Sequence, residues 1–270
     1  MKNSRWDARI RRAEELKSTY PFAVQSLGFY ERVAAFQKAL YANCEIQFEA
    51  TERPRLSGIL GDETDFLALL PQFPVLLAAV EQNAPFPLAQ AARFLLQKRE
   101  DEWAEMLSQF WSIPDSRADL KPAERLVSWI FLKPYAEYLA DNTVRSPLNH
   151  MPSTCPLCGG PPAVGVLRPE GDGGKRSLIC GLCSTEWDYR RIICPACGEE
   201  EVQKLAVYTA EEFRHLRVET CDTCHSYIKT VDLTKDGRAV PDVDEIATIP
   251  LNLWATEHGY KKLHTNLLGL

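Results

Sequence analysis

The chain lacks any apolar run long enough to cross a bilayer. Its longest apolar stretch, Phe66 to Val80, is broken by Pro71, Gln72 and Pro74, whereas a spanning helix needs about 20 largely apolar residues. An apolar segment after the N-terminus is missing too: Met1 to Leu16 is charged and amphipathic, so no secretory signal is expected. Arg11-Arg12 has no hydrophobic stretch behind it and does not read as an export signal. A cytoplasmic protein without membrane insertion is therefore the expectation. Positive charge is also in short supply. The formal net charge is −6, and −4 of it falls in residues 151–270. Nucleic-acid binders need a basic footprint to meet phosphates, so no nucleic-acid partner is expected. A phosphate loop is absent: Gly174-Lys175 has Pro169 where the first glycine belongs and Arg176 where Ser or Thr belongs. No Ser/His/Asp or Cys/His grouping reads as a nucleophile with its base, and Glu199-Glu-Glu201 reads as a solvated loop. The chain is expected not to be an enzyme.

What it has in abundance is cysteine in one arrangement. Eight of its nine cysteines form four Cys-x-x-Cys pairs: Cys155/Cys158, Cys180/Cys183, Cys194/Cys197 and Cys221/Cys224. Such a turn aims two thiolates at one tetrahedral ion, and two turns complete a site. In a reducing compartment these pairs are metal ligands more often than disulfides. The string Cys-Pro-x-Cys-Gly opens at 155 and again at 194, an offset of 39 residues. This reads as a tandem repeat of knuckle, strand, turn, strand, knuckle. Pairing along the repeat puts Cys155, Cys158, Cys180 and Cys183 around one metal and Cys194, Cys197, Cys221 and Cys224 around another. A nested pairing is the alternative, since only ten residues separate Cys183 from Cys194, but it ignores the repeat. Cys44 stands alone and reads as a small buried apolar residue.

With 270 residues, 45% of them hydrophobic and 25% charged, there is room for two domains and a sizeable core. The fold class is expected to be α+β. An all-α N-terminal bundle over 1–145 should precede two tandem four-cysteine metal modules, over 146–193 and 194–270. Helical periodicity runs through Trp6–Lys17, Ala23–Tyr41, shorter pieces near Asp65–Leu70 and Val75–Val80, one long helix over Pro87–Trp111, and Pro122–Ala140. The aromatic stripes on these helices read as core. Asn142 to Thr154 reads as a linker, with His150 not needed as a ligand. Strands are expected at Ala163–Leu167 and Arg176–Ile179 around the Gly171–Gly174 turn, then at Leu205–Ala210, Phe213–Glu219 and Tyr227–Leu233. A closing helix over Asp242–Gly259, irregular at Pro250, should lead into an extended tail.

At the join between the modules the chain reads Cys180-Gly-Leu-Cys183-Ser-Thr-Glu186-Trp187-Asp-Tyr-Arg-Arg191-Ile-Ile-Cys194-Pro-Ala-Cys197, and at the last knuckle Glu219-Thr-Cys221-Asp-Thr-Cys224-His-Ser-Tyr227-Ile-Lys229. Together these strings resemble the FdhE family, accessory proteins required to make active respiratory formate dehydrogenases. Leu27-Gly-Phe29-Tyr30, Phe131-Leu-Lys-Pro134-Tyr135 and Gly259-Tyr260 resemble the same family. The resemblance implies a helical domain joined to two rubredoxin-like modules whose cysteines hold iron. It further implies a non-enzymatic, cytoplasmic assembly factor that binds the catalytic (alpha) subunit of a molybdenum- or tungsten-dependent formate dehydrogenase and helps it mature. One departure is His225, which stands where glycine commonly follows the knuckle.

From the residues alone, thiolate sets suit zinc or iron, and zinc is the commoner metal in four-cysteine sites. Glu186, Trp187 and Arg191 have two readings: Trp187 packed between the modules with Glu186 paired to Arg191, or a partner-facing surface. Tyr227 and Lys229 carry the same two readings and lean structural. The alternative functions are a thiol/metal redox switch and, against the charge, a zinc-ribbon nucleic-acid binder. Homo-oligomerisation is left open.

Overall fold

Among the described residues of the N-terminal half, five helices pack around a sixth. In the computed structural model, which describes residues 3–48, 65–112, 119–143, 151–171 and 173–266, they are α1 (Asn3–Thr19), α2 (Val24–Gln47), α3 (Phe73–Asn83), α4 (Phe86–Leu95), α5 (Glu100–Trp111) and α6 (Pro122–Asp141). A 3₁₀ stretch, Asp65–Gln72, leads into α3. Pro122 opens α6, where its missing N–H costs least. Every residue of α6 from Val127 to Ala140 is buried, which places it in the middle of the bundle, since a helix buried all round has no polar face to offer water. Pro54, His150 and the last four residues lie outside the described residues.

The expected long helix over Pro87–Trp111 is two helices. Leu96–Arg99 breaks it, the Arg99 N–H taking the Glu102 carboxylate at 3.0 Å and the Trp103 indole N–H donating to the Leu95 carbonyl at 2.7 Å. With its exposed carbonyls and N–H groups satisfied this way, the break is held without glycine or proline. The second helix extends to Gln47 rather than ending at Tyr41.

The C-terminal half carries β1 (Pro162–Glu170), β2 (Gly173–Cys180), β3 (Glu186–Asp188), β4 (Val207–Thr209), β5 (Leu216–Cys221), β6 (Ser226–Asp232) and β7 (Lys261–Lys262), with α7 (Pro241–Ala247) and α8 (Ile249–Glu257) near the end. The closing helix is thus divided at Thr248, just before Pro250. Instead of two separate ribbons, the strands form one sheet in the order β3-β2-β1-β6-β5-β4, with β7 alongside β6. The seam is parallel: Gly165, Val166 and Leu167 of β1 pair with Thr230, Val231 and Asp232 of β6. Gly165 allows this approach, because a Cβ there would meet Thr230 Cβ at 3.2 Å and its hydroxyl closer still. We expect Gly165→Ala to cost about 1–3 kcal/mol through overpacking, read as a lower midpoint in urea unfolding; an unchanged midpoint would show that the seam is loose.

Two apolar clusters organise the molecule. The larger runs from the helices into the first module and includes Cys155, Leu157, Leu178, Leu182, Trp187 and Tyr189. The smaller lies between β5, β6 and α8, around Leu216, Val218, Val231, Leu251 and Ala255. The first module therefore shares its core with the helices. Among the described residues no helix is long and apolar enough to cross a membrane.

Candidate metal centres

Three of the four knuckles close with the same hydrogen bond. The N–H of the residue after the second cysteine reaches back to the first cysteine's carbonyl: Gly159 to Cys155 and Gly198 to Cys194 at 2.9 Å, Ser184 to Cys180 at 3.2 Å. That following residue takes positive φ in all four knuckles: Gly159 69°, Ser184 55°, Gly198 78° and His225 52°. Glycine adopts this conformation freely and other residues at a cost of about 1–2 kcal/mol. His225 thus keeps the turn that glycine serves elsewhere.

The four knuckles converge two by two. Cys155, Cys158, Cys180 and Cys183 form one cluster, Cys194, Cys197, Cys221 and Cys224 the other, and within each the sulfurs all lie within 4.8 Å of one another. Across the knuckles, Cys155–Cys183 is 3.6 Å and Cys158–Cys180 3.3 Å, while Cys194–Cys224 and Cys197–Cys221 are each 3.7 Å. Four sulfurs each 2.3 Å from a tetrahedral ion lie about 3.8 Å apart. The donor type, the number and the spacing all fit, and each cluster can hold one metal ion. The nested pairing is not what the fold brings together. Crowding points the same way. Hydrogen bonds among neighbouring thiols push Cys158 well above its ordinary value, and burial raises Cys194. A bound dication reverses that penalty by favouring thiolates.

The two clusters differ in shelter. All four cysteines of the first are buried, none more than 6% exposed. In the second, Cys197 is exposed and Cys224 half-buried. Burial works against the Cys224 thiolate, but hydrogen bonds from Ser226 outweigh it and bring it down to about 7. The Glu199 carboxylate braces this second cluster. It accepts from Thr223 Oγ1 at 2.6 Å, and from the N–H groups of Glu200 at 3.0 Å and Glu201 at 2.9 Å. Glu199 is thus tied into the cluster's frame instead of lying free in the solvated loop that Glu199–Glu201 suggested.

A buried charge network fastens the first cluster to the helices. Lys133 of α6 donates to the Gly181 carbonyl at 2.9 Å and to Ser184 Oγ at 2.8 Å, and Trp129 Nε1 donates to the same carbonyl at 3.1 Å. Ser184 Oγ in turn donates to Glu137 at 2.7 Å and accepts from Arg9 of α1 at 3.0 Å. Arg9 closes the circuit on Glu137 at 2.9 Å and on Asp242 of α7 at 2.5 Å. Burial opposes the Glu137 charge, but Arg9, Lys133 and Arg5 outweigh it and hold the carboxyl down at about 2. Sequence reading missed this clamp, since α6 reads as core and only the folded chain shows its two charges facing a knuckle.

The five further candidates fall differently from their sequence readings. Glu186 does not pair with Arg191: it takes Arg168 in a two-pronged contact at 2.6 and 2.7 Å, while Arg191 donates to the Gly174 carbonyl. Trp187 is buried, donates to the Pro152 carbonyl at 2.9 Å and joins the cluster that descends from the helices, not a space between the modules. Tyr227 is buried in the smaller cluster. Lys229 is fully buried, bonded to Glu245 at 2.9 Å, with Lys262 on the same carboxylate at 2.5 Å. Of these five, only Arg191 is exposed and Glu186 half-buried. Cys44 is buried, and burial pushes its thiol up to about 12.

Comparison with known proteins adds the family. Residues 154–191 match the model of the FdhE central domain and residues 192–268 that of the FdhE C-terminal domain. An FdhE homolog of Aquifex aeolicus is 29% identical over 269 residues, covering 96% of this chain and 94% of the relative. One of Pseudomonas aeruginosa is 33% identical over 214 residues, covering 74% of this chain and 67% of the relative. The chain belongs to the FdhE family. The crystal structure of the FdhE protein from P. aeruginosa superposes with a TM-score of 0.69 over 98% of this chain and 95% of that one, at 23% identity. The FdhE fold, helices first and a two-cluster sheet second, is therefore the fold of this chain.

Proposed function

We propose that the chain is an accessory protein of a molybdenum- or tungsten-dependent formate dehydrogenase. In this reading it binds the enzyme's catalytic subunit in the cytoplasm and is needed for the subunit to reach its active form. FdhE membership carries the proposal, because the match to the A. aeolicus relative spans helices and both clusters together. The working units are taken as 1–145, 146–193 and 194–270. The eight clustered cysteines hold two metal ions, iron by family resemblance and zinc as the alternative. Such an ion fixes the knuckles and, if iron, adds redox activity tuned by hydrogen bonds to sulfur and by solvent access.

Anaerobic capture with the tagged chain from its own cells tests this, with Cys194→Ser beside it. Wild type is expected to enrich a formate dehydrogenase catalytic subunit and Cys194→Ser to lose it. Failure of both baits under formate-grown conditions contradicts the proposal. A second reading, a thiol/metal redox switch, draws on the exposure of Cys197. Release of metal by low peroxide, with intramolecular disulfides forming at 194/197 and 221/224, would favour it.

A further inference from the structure

The last strand of the sheet has no neighbour on its outer side. Among the described residues, β4 pairs only with β5. Ala206 O accepts from Thr220 N–H at 2.9 Å, and in an antiparallel ladder the inward groups alternate. Ala206 and Tyr208 therefore face β5, while Val207 and Thr209 turn their N–H and C=O outward. The strand itself is Val-Tyr-Thr, exposed at all three positions, with none of the charges or prolines that usually guard an edge.

A groove lies on each side of this edge, on opposite faces of the sheet. The first, of about 380 Å³, is floored by alternate β5 residues Arg217 and Glu219, with Val207, Ile192, Arg176 and Arg191 around it. The second, of about 760 Å³, is lined by Tyr208 together with Tyr20, Phe22, Phe213, Val218 and Trp254. The first groove is largely apolar at its surface, yet the charges along it oppose the chain's overall sign: Arg176, Arg191 and Arg217 line it beside one carboxylate, Glu219, which Arg217 meets at 3.4 Å, on a chain of net charge −6. Arg176 bonds Glu219 at 2.6 Å and the Arg190 carbonyl at 3.0 Å. Among the described residues its Nε, on a side chain 2% exposed, has no partner. The second groove is aromatic and partly open, with Phe22 53% and Tyr208 40% exposed.

We propose that the β4 edge is a docking site for an extended segment of a partner protein. The segment adds a strand beside β4, seats a carboxylate side chain in the arginine groove and seats an aromatic or large aliphatic side chain in the opposite groove. Main-chain bonds to Val207 and Thr209 supply affinity, and the two grooves supply selectivity. Because successive side chains of a strand point to opposite faces, the acidic and the apolar anchor must be separated by an odd number of positions. The site stands whether or not the client is a formate dehydrogenase. It borders the Cys194 and Cys221 ends of the second cluster, both of which line the first groove.

The test is selection of a random dodecapeptide phage library on the metal-loaded chain. Enriched peptides are then synthesised with a fluorophore and titrated by polarisation. An acidic and an aromatic or aliphatic residue at odd spacing is expected. Val207→Pro removes one outward N–H, at a position where an edge strand tolerates proline, and should weaken binding by about tenfold. Arg191→Ala with Arg217→Ala should weaken acidic peptides selectively. Thr209→Pro, which removes the other outward N–H and leaves the charge of the arginine groove unchanged, serves as a second edge variant should the Val207 proline variant lose metal or circular-dichroism signal. No consensus, even spacing, or affinity unchanged in both edge variants overturns the proposal. So does a chain dimer in sedimentation equilibrium that Val207→Pro dissolves, or a labelled oligonucleotide that binds in place of the peptides.

Discussion

Glu137→Ala should lower the unfolding free energy by about 3–5 kcal/mol, the usual cost of stranding a buried charge partner. The carboxylate is fully buried and holds Arg9, Lys133 and Ser184 at once. Removing it leaves the buried Lys133 ammonium without its counter-charge, leaves Arg9 with Asp242 alone, and takes away the acceptor of the Ser184 hydroxyl behind the Cys180–Cys183 knuckle. The exposed Arg168–Glu186 pair is the contrast. Its side chains are 50% and 27% exposed, so Glu186→Ala should cost no more than about 1 kcal/mol. The sign with pH follows. Glu137 and Glu245 both sit at about 2 in the folded chain against an ordinary value of 4.5. Their stabilisation is complete above about pH 4.5 and is lost as pH falls toward 2. In urea unfolding the wild type should lose stability steeply across that window, and Glu137→Ala less steeply because one of the two carboxylates is gone. Equal slopes, or a loss below about 1 kcal/mol at neutral pH, would mean that the clamp does not hold the first module.

Metal should leave the two centres at very different rates. An ion held by Cys194, Cys197, Cys221 and Cys224 can be approached from solvent past Cys197. One held by the buried Cys155, Cys158, Cys180 and Cys183 sits in a knuckle whose Gly181 packs against the Trp129 and His264 rings, which a side chain there would strike at 3.2 and 3.1 Å. Reaching the first centre requires partial unfolding, and each 1.4 kcal/mol of opening slows release about tenfold. Mixing the loaded chain with a chromogenic chelator should give two phases of one equivalent each. The fast phase should vanish in Cys224→Ser and the slow phase should quicken in Glu137→Ala. A single phase of two equivalents would refute the asymmetry.

The parts of this molecule written locally in the sequence were legible there. Two cysteines with two residues between them make a knuckle whatever surrounds them, so the eight cysteines came from spacing and their grouping from the Cys-Pro-x-Cys-Gly repeat. Helices α1, α2, α3 and α6 showed in their periodicity. The break at Leu96–Arg99 did not, because a continuous helical pattern crosses it and the bond that secures it runs from the Trp103 side chain to a backbone carbonyl eight residues back, which helical periodicity does not show. Nor did the β1–β6 seam, a three-residue parallel pairing between segments more than 60 residues apart. Buried charge was the hardest to read: Lys133 and Glu137 look like surface residues until α1 and the Cys180–Cys183 knuckle close over them. The pairing of Glu186 with Arg191 failed for a related reason. Proximity in sequence suggested it, but β2 pairs with β3 on one side and β1 on the other, and Arg168 of β1 reaches Glu186 across it.

Two four-cysteine clusters, each able to hold one metal ion, underlie the knuckle geometry and the expected release rates alike, and counting metal ions tests them most directly. Protein purified without oxygen should contain two ions per chain by mass spectrometry of the elements. Cys155→Ser and Cys194→Ser should each lower the count to one, with thiolate-to-iron absorption in the visible if the metal is iron. Fewer than two ions in the wild type, or loss of both from either variant, would contradict two independent centres.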